Sequence, residues 1–137
     1  HQLVWYSANG KRLGDLTEPD SVPVLHPRFS ADGTKIVVTR GTDAQKDLWV
    51  FENNHYRRFT FSGSARWPSV SPDGKVAWTE GPGAGTVLIQ SLDRSRPPVK
   101  INATGLPSSW TKDGKFLLGV WPDREASARP RPTWARS

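Results

Sequence analysis

The chain contains no cysteine and no methionine. Without thiols there can be no disulfide framework and no thiolate zinc site. Long apolar runs are missing too: none approaches the ~20 residues that a membrane-crossing helix requires. Only 35% of the residues are hydrophobic, which seven tryptophans partly offset, since each can bury a large area. A leader-like pattern is also absent, because His1-Gln2-Leu3-Val4-Trp5 already reads as strand. With no initiator methionine and an abrupt start, the chain is read as an excised piece of a longer one.

What the chain does have is turns. Twelve glycines and twelve prolines in 137 residues argue against long helices. The formal net charge of +6 raises nucleic acid as a partner. However, Lys11, Arg12, Lys35, Arg57, Arg58, Lys75 and Lys100 are scattered, and Arg124, Arg129, Arg131 and Arg136 fall in the last stretch. Such cations mark solvated strand faces and turns and not a continuous track. Neither nucleic acid nor a membrane is an expected partner.

One phrase recurs three times. It reads Phe29-Ser30-Ala31-Asp32-Gly33, Val70-Ser71-Pro72-Asp73-Gly74 and Trp110-Thr111-Lys112-Asp113-Gly114, with the glycines 41 and 40 residues apart. A period near forty signals a propeller or another repeat array. Each unit reads as four short strands. A lead-in strand (Pro27 to Ser30, Pro68 to Ser71) meets an Asp-Gly turn, where glycine takes positive φ without steric cost. A second apolar strand follows (Lys35 to Thr39, Lys75 to Thr79). A third is rich in β-branched and aromatic residues (Asp47 to Phe51, Thr86 to Gln90). The fourth alternates polar and apolar residues (Tyr56 to Thr60, Val99 to Asn102) and is expected at the half-exposed outer edge.

The phase of the repeat gives an all-β partial β-propeller: a half blade at 1–14, blades at 27–60 and 68–102, and a half blade at 107–121. Residues 122–137 read as a flexible Pro/Arg-rich tail in which Trp134 is either a surface anchor or unstructured. Unpaired sheet edges recruit partners. A three-bladed ring is too tight, since propellers typically have ~4–8 blades. Two copies would give a six-bladed ring without free edges, so a twofold homodimer with composite blades is predicted.

The phrases Phe29-Ser30-Ala31-Asp32-Gly33-Thr34-Lys35-Ile36 and Val70-Ser71-Pro72-Asp73-Gly74-Lys75-Val76 resemble the blades of TolB-like β-propellers. Asp47-Leu48-Trp49-Val50 and Arg57-Arg58-Phe59-Thr60-Phe61 fit the later parts of that pattern. Leu3-Val4-Trp5-Tyr6 with Gly10-Lys11-Arg12-Leu13-Gly14 is similar to the propeller attached to some bacterial receptor-type serine/threonine kinases. No kinase motif is present. Ala31 and Lys112 replace the usual proline, and Ser108 stands where Pro27 and Pro68 do. The resemblance implies a bacterial periplasmic or otherwise extracytoplasmic interaction or sensing module. Some such propellers are non-catalytic partners of hydrolase domains.

No nucleophile elbow, phosphate loop or His-Glu-x-x-His helix occurs. Ser30 and Ser71 read as turn-capping residues, and Asp32, Asp73 and Asp113 recur because the turn needs them. His26 precedes the strand that lines a propeller's channel, so it is expected at the channel mouth. With Glu18 and Asp20 supplying oxygen ligands, His26 would hold a divalent metal, zinc or manganese, and activate water for hydrolysis. The bland alternative has His26 capping a loop and bonding a backbone carbonyl. Arg66 and Trp67 are expected, with His26, to form a binding surface for a peptide, sugar or anion. Alternatively Trp67 packs between blades. His55 falls in a hairpin turn. The leading expectation is a non-catalytic binding module that self-assembles and presents its channel mouth to a protein or small-molecule ligand. The alternative is a metal-dependent hydrolase on the dimer axis.

Overall fold

The computed structural model describes residues 1–83 and 85–122. The expected tail from residue 123 onward, Trp134 included, lies outside them. The described residues form twelve strands. Strands β1 (Val4–Tyr6) and β2 (Arg12–Asp15) make a hairpin. Strands β3 (Val24–Phe29), β4 (Ile36–Gly41), β5 (Lys46–Glu52) and β6 (His55–Arg58) form the first four-stranded sheet in chain order. The second contains β7 (Arg66–Val70), β8 (Lys75–Glu80), β9 (Thr86–Ser91) and β10 (Val99–Thr104). A second hairpin pairs β11 (Leu106–Trp110) with β12 (Leu117–Val120). Every ladder is antiparallel.

The repeated turn has one construction. Ser30 Oγ donates to Asp32 Oδ1 at 2.6 Å and accepts the Lys35 amide at 3.1 Å. In the third copy Thr111 takes the place of serine, donating to Asp113 at 2.6 Å and accepting the Phe116 amide at 3.2 Å. Gly33, Gly74 and Gly114 have φ of 73°, 87° and 72°, which is where an L side chain would be strained. A second device closes the outer strands. Leu48 N–H donates to Thr60 Oγ1 at 2.9 Å, and Leu3 N–H donates to Thr17 Oγ1 at the same distance. Thus β1 stands in its hairpin where β5 stands in the first sheet.

The first four residues of β4, Ile36 to Thr39, are all buried because both faces of the strand are covered there, as for a strand inside a stack of layers. Val37 and Val50 point to the second sheet and pack with Val76 and Trp78. Ile36, Val38 and Phe51 point the other way, toward Leu3 and Leu16 of the first hairpin segment. The layers are joined edge to face by Phe59 and Trp78, with ring centroids 5.9 Å apart and planes at 81°. Arg94, in the β9–β10 turn, donates to the Phe59 carbonyl and lies over the Phe59 ring at 5.0 Å.

The inner strands start earlier than the proline pattern suggests. Strand β3 opens at Val24 and β7 at Arg66, upstream of Pro27 and Pro68. A bulge absorbs each proline at a place where the ladder requires no N–H, so pairing resumes before it.

Candidate binding site at the inner-strand bulges

Each inner strand carries one extra residue relative to its partner. Leu25 pairs with Thr39 but Arg28 with Val37, and Arg66 pairs with Thr79 but Ser69 with Ala77. His26 and Trp67 occupy these bulges with φ of 55° and 59°, each directly before a proline. A residue before proline ordinarily adopts an extended conformation, and a non-glycine residue at positive φ is uncommon. In the third copy Pro107 stands at this position. Its ring fixes φ near −65°, so the shift falls one residue on, between Pro107 and Ser109.

The two bulges meet. The His26 ring of the first sheet stacks on Trp67 of the second at 3.9 Å between centroids and 25° between planes. Beneath them lies Thr39, which is buried. Its hydroxyl accepts the Trp67 amide at 3.2 Å and lies 3.4 Å from His26 Nδ1. Burial holds the His26 imidazole below its ordinary pKa, with the charges of Arg28 and Lys46 acting in the same direction. The neutral ring leaves Nδ1 free to accept from the Thr39 hydroxyl. Trp67 remains 38% exposed, so the stack is both an inter-sheet contact and a surface. His26 bonds a side-chain hydroxyl here in place of the carbonyl of the bland reading.

The other expected residues are engaged elsewhere. Asp20 accepts the Val22 amide at 2.9 Å through Oδ1 and Arg40 Nη2 at 2.6 Å through Oδ2. Those contacts hold its carboxyl below the usual range, the Val22 hydrogen bond contributing most. Glu18 is exposed and borders a pocket of ≈ 350 Å³ with Asp20, His55 and Tyr56, whose lining does not include His26. No group of three or more His, Asp or Glu among the described residues could hold a metal ion. Arg66 lies beside Trp67 in sequence, yet its guanidinium donates to the Ser64, Gly81 and Gly83 carbonyls. The bonds to Gly81 and Gly83 fasten the β8–β9 loop.

Thr39 was not legible as a site residue. It closes an apolar β-branched run, Ile36 to Thr39, that reads as core. The turn aspartates are occupied by their own turns: hydrogen bonds from Ser30 and then Thr34 hold Asp32 well below the usual carboxylate range, and those from Ser71 and Thr111 lower Asp73 and Asp113. This leaves a flat aromatic and imidazole surface at the two bulges.

Neither a protein-family profile nor a curated relative matches the sequence. Among solved structures, TolB from Acinetobacter baumannii is similar to this chain, with a TM-score of 0.70 and 22% sequence identity. The fold is TolB-like. The likeness covers 88% of this chain and 31% of that one, so the chain spans about a third of its neighbour's length. Both are all-β, with four-stranded antiparallel sheets in this chain, and at this identity the similarity speaks for the fold alone.

Proposed function

We propose that the chain is a non-catalytic binding module of the β-propeller type. Its hairpins act as half blades that complete one another between two copies, closing a six-bladed ring. The rim at the bulges, carrying His26 and Trp67, is the face offered to a protein or small-molecule ligand. An extracytoplasmic setting follows from the family resemblance.

The observation that carries this reading is the stacked pair His26–Trp67. Backbone in sparsely populated regions costs roughly 1–3 kcal/mol per residue and clusters at functional positions. Here two such residues present a partly exposed aromatic surface across adjacent blades. A flat aromatic face suits an apolar or planar ligand group. Nothing among the described residues favours the metal-dependent hydrolase: Asp20 is held by Arg40, and His26 is paired with Thr39 and Trp67.

The test assays purified protein with p-nitrophenyl acetate and p-nitrophenyl phosphate, with zinc or manganese added. Rates at the buffer background, unchanged in His26→Ala, are expected. Metal-dependent turnover that disappears in His26→Ala would overturn the proposal.

A further inference from the structure

Between the two four-stranded sheets, at the end where their Asp-Gly turns lie, is a groove of ≈ 770 Å³. Its lining includes Asp32 and Arg57 from the first sheet and Asp73, Asp93 and Arg96 from the second. His26, Thr39 and Trp67 do not line it, so it is a surface apart from the bulges. Register aims Arg57 into this groove. Arg57 pairs with Val50, and directly opposite residues share a face of the sheet. Val50 packs with residues of the second sheet, and so does Phe59, two positions beyond Arg57. Phe59 fills the space between the sheets by meeting Trp78 and Arg94. At Arg57 that apolar filling stops and the groove begins.

The other wall departs from the repeat. Residues 53–54 join β5 to β6, whereas residues 92–98 join β9 to β10. The longer connection is pinned along its length. Leu92 N–H donates to the Gly74 carbonyl at 2.8 Å, Ser95 N–H to Asp93 Oδ1 at 2.9 Å, and Gln90 Nε2 to the Arg96 carbonyl at 3.2 Å. Arg94 is drawn to the Phe59 carbonyl. Arg57 is not a demand of the repeat either, because Val99 takes its position in the second sheet, opposite Ile89.

The charges of the groove are unevenly committed. Asp32 accepts from Ser30 and Thr34, and Asp73 from Ser71 and Lys75. Lys35, also in the lining, bonds Glu52 at 3.2 Å, and Lys75 bonds Asp73 at 3.0 Å. The guanidinium groups of Arg57 and Arg96 make no hydrogen bond, ion pair or ring contact among the described residues. We propose that this groove binds an acidic peptide segment of a partner protein, with Arg57 and Arg96 taking its carboxylates from opposite walls. A guanidinium fork matches a carboxylate through two parallel hydrogen bonds. The aspartates along the groove oppose a polyanion, while their remaining lone pairs accept N–H groups of a peptide backbone. The inference depends neither on ring closure nor on the bulge surface.

Isothermal titration calorimetry tests it with four probes: N-acetyl-tetraglutamate amide, its tetraglutamine analogue, glutarate and inorganic phosphate. The acidic peptide binds and the glutamine analogue does not, and added salt weakens the affinity because exposed charges are screened. Arg57→Ala and Arg96→Ala each lower the affinity roughly tenfold or more, and Arg57→Lys recovers only part of the loss. Arg96 is exposed, so its variant keeps the circular dichroism spectrum even where Arg57→Ala does not. Lys11→Ala, in the first hairpin, leaves binding as it is. In the isotope-labelled protein, amide shifts on adding the peptide centre on Gly74, Ser95 and Arg96. No binding of the acidic peptide, or binding that survives both arginine changes, overturns the proposal. Glutarate or phosphate binding as tightly as the peptide overturns the choice of a peptide. Shifts centred on His26 and Trp67 overturn this groove and leave the bulge surface standing as the binding face.

Discussion

Arg58 donates to the carboxylate of Asp47 at 2.7 Å, where Asp47 is 2% exposed at its side chain and Arg58 is 35% exposed. The same carboxylate accepts Thr60 Oγ1 at 2.7 Å and the Gly63 amide at 3.1 Å. It ties β5 to β6 and to the segment leading into the next sheet.

Asp47→Ala is therefore expected to be among the more destabilising single changes. It leaves the Gly63 amide and Arg58 Nη2 without their acceptor, at a cost of about 3 kcal/mol. Asp47→Asn keeps part of the geometry and should cost roughly half as much. Urea denaturation of the two variants against wild type measures both.

Thr60→Val tests the closing device. The hydroxyl accepts the amide of Leu48, which is fully buried, and donates to Asp47. Removing it orphans a buried N–H, a loss of roughly 1–3 kcal/mol. Thr17→Val, which frees the Leu3 amide in a less buried setting, should cost less in the same assay.

The turn aspartates govern the acid limb. Asp32, Asp73 and Asp113 all have carboxyls held below their ordinary 3.8 by hydrogen bonds. A depressed folded-state pKa gives stability that is present above the unfolded value and lost as pH falls through the folded one. Urea midpoints should be flat from pH 6 down to about 4 for this group and fall below it. The triple variant Asp32→Asn/Asp73→Asn/Asp113→Asn should show a shallower fall. An unchanged acid limb would contradict the assignment.

His26 acts at milder pH. Its folded pKa lies below the ordinary 6.5, mainly through burial, so the folded state favours the neutral ring. This stability is full above 6.5 and declines as pH drops from there toward the folded value. His26→Phe keeps a ring for Trp67 and removes the proton. The slope of stability just below pH 6.5 should flatten in that variant.

How much of this was legible depends on distance along the chain. The Asp-Gly turns, the Ser30–Asp32 pairing and the apolar second strands are local, so residue types at short spacing suffice. Asp47 was visible only as part of an Asp-Leu-Trp run, because its partners lie 11 to 16 residues away. Arg66 beside Trp67 suggested a ligand surface, yet its carbonyl acceptors at Gly81 and Gly83 belong to a loop across the sheet. The stacking of His26 on Trp67 needs two bulges in strands 41 residues apart to meet, and a proline after each residue argues locally against the backbone they adopt.

The contacts between layers have a mechanical consequence. Arg94 holds the Phe59 carbonyl, Ser69 the Ser108 carbonyl, Trp110 the Ser69 carbonyl and Lys75 the Gly114 carbonyl. Each of these fasteners joins a layer only to its immediate neighbour, as in other quasi-one-dimensional arrays. Pulled from its two ends, the stack should yield layer by layer, giving a sawtooth of separate rupture events in a force trace where a single shared core would give one.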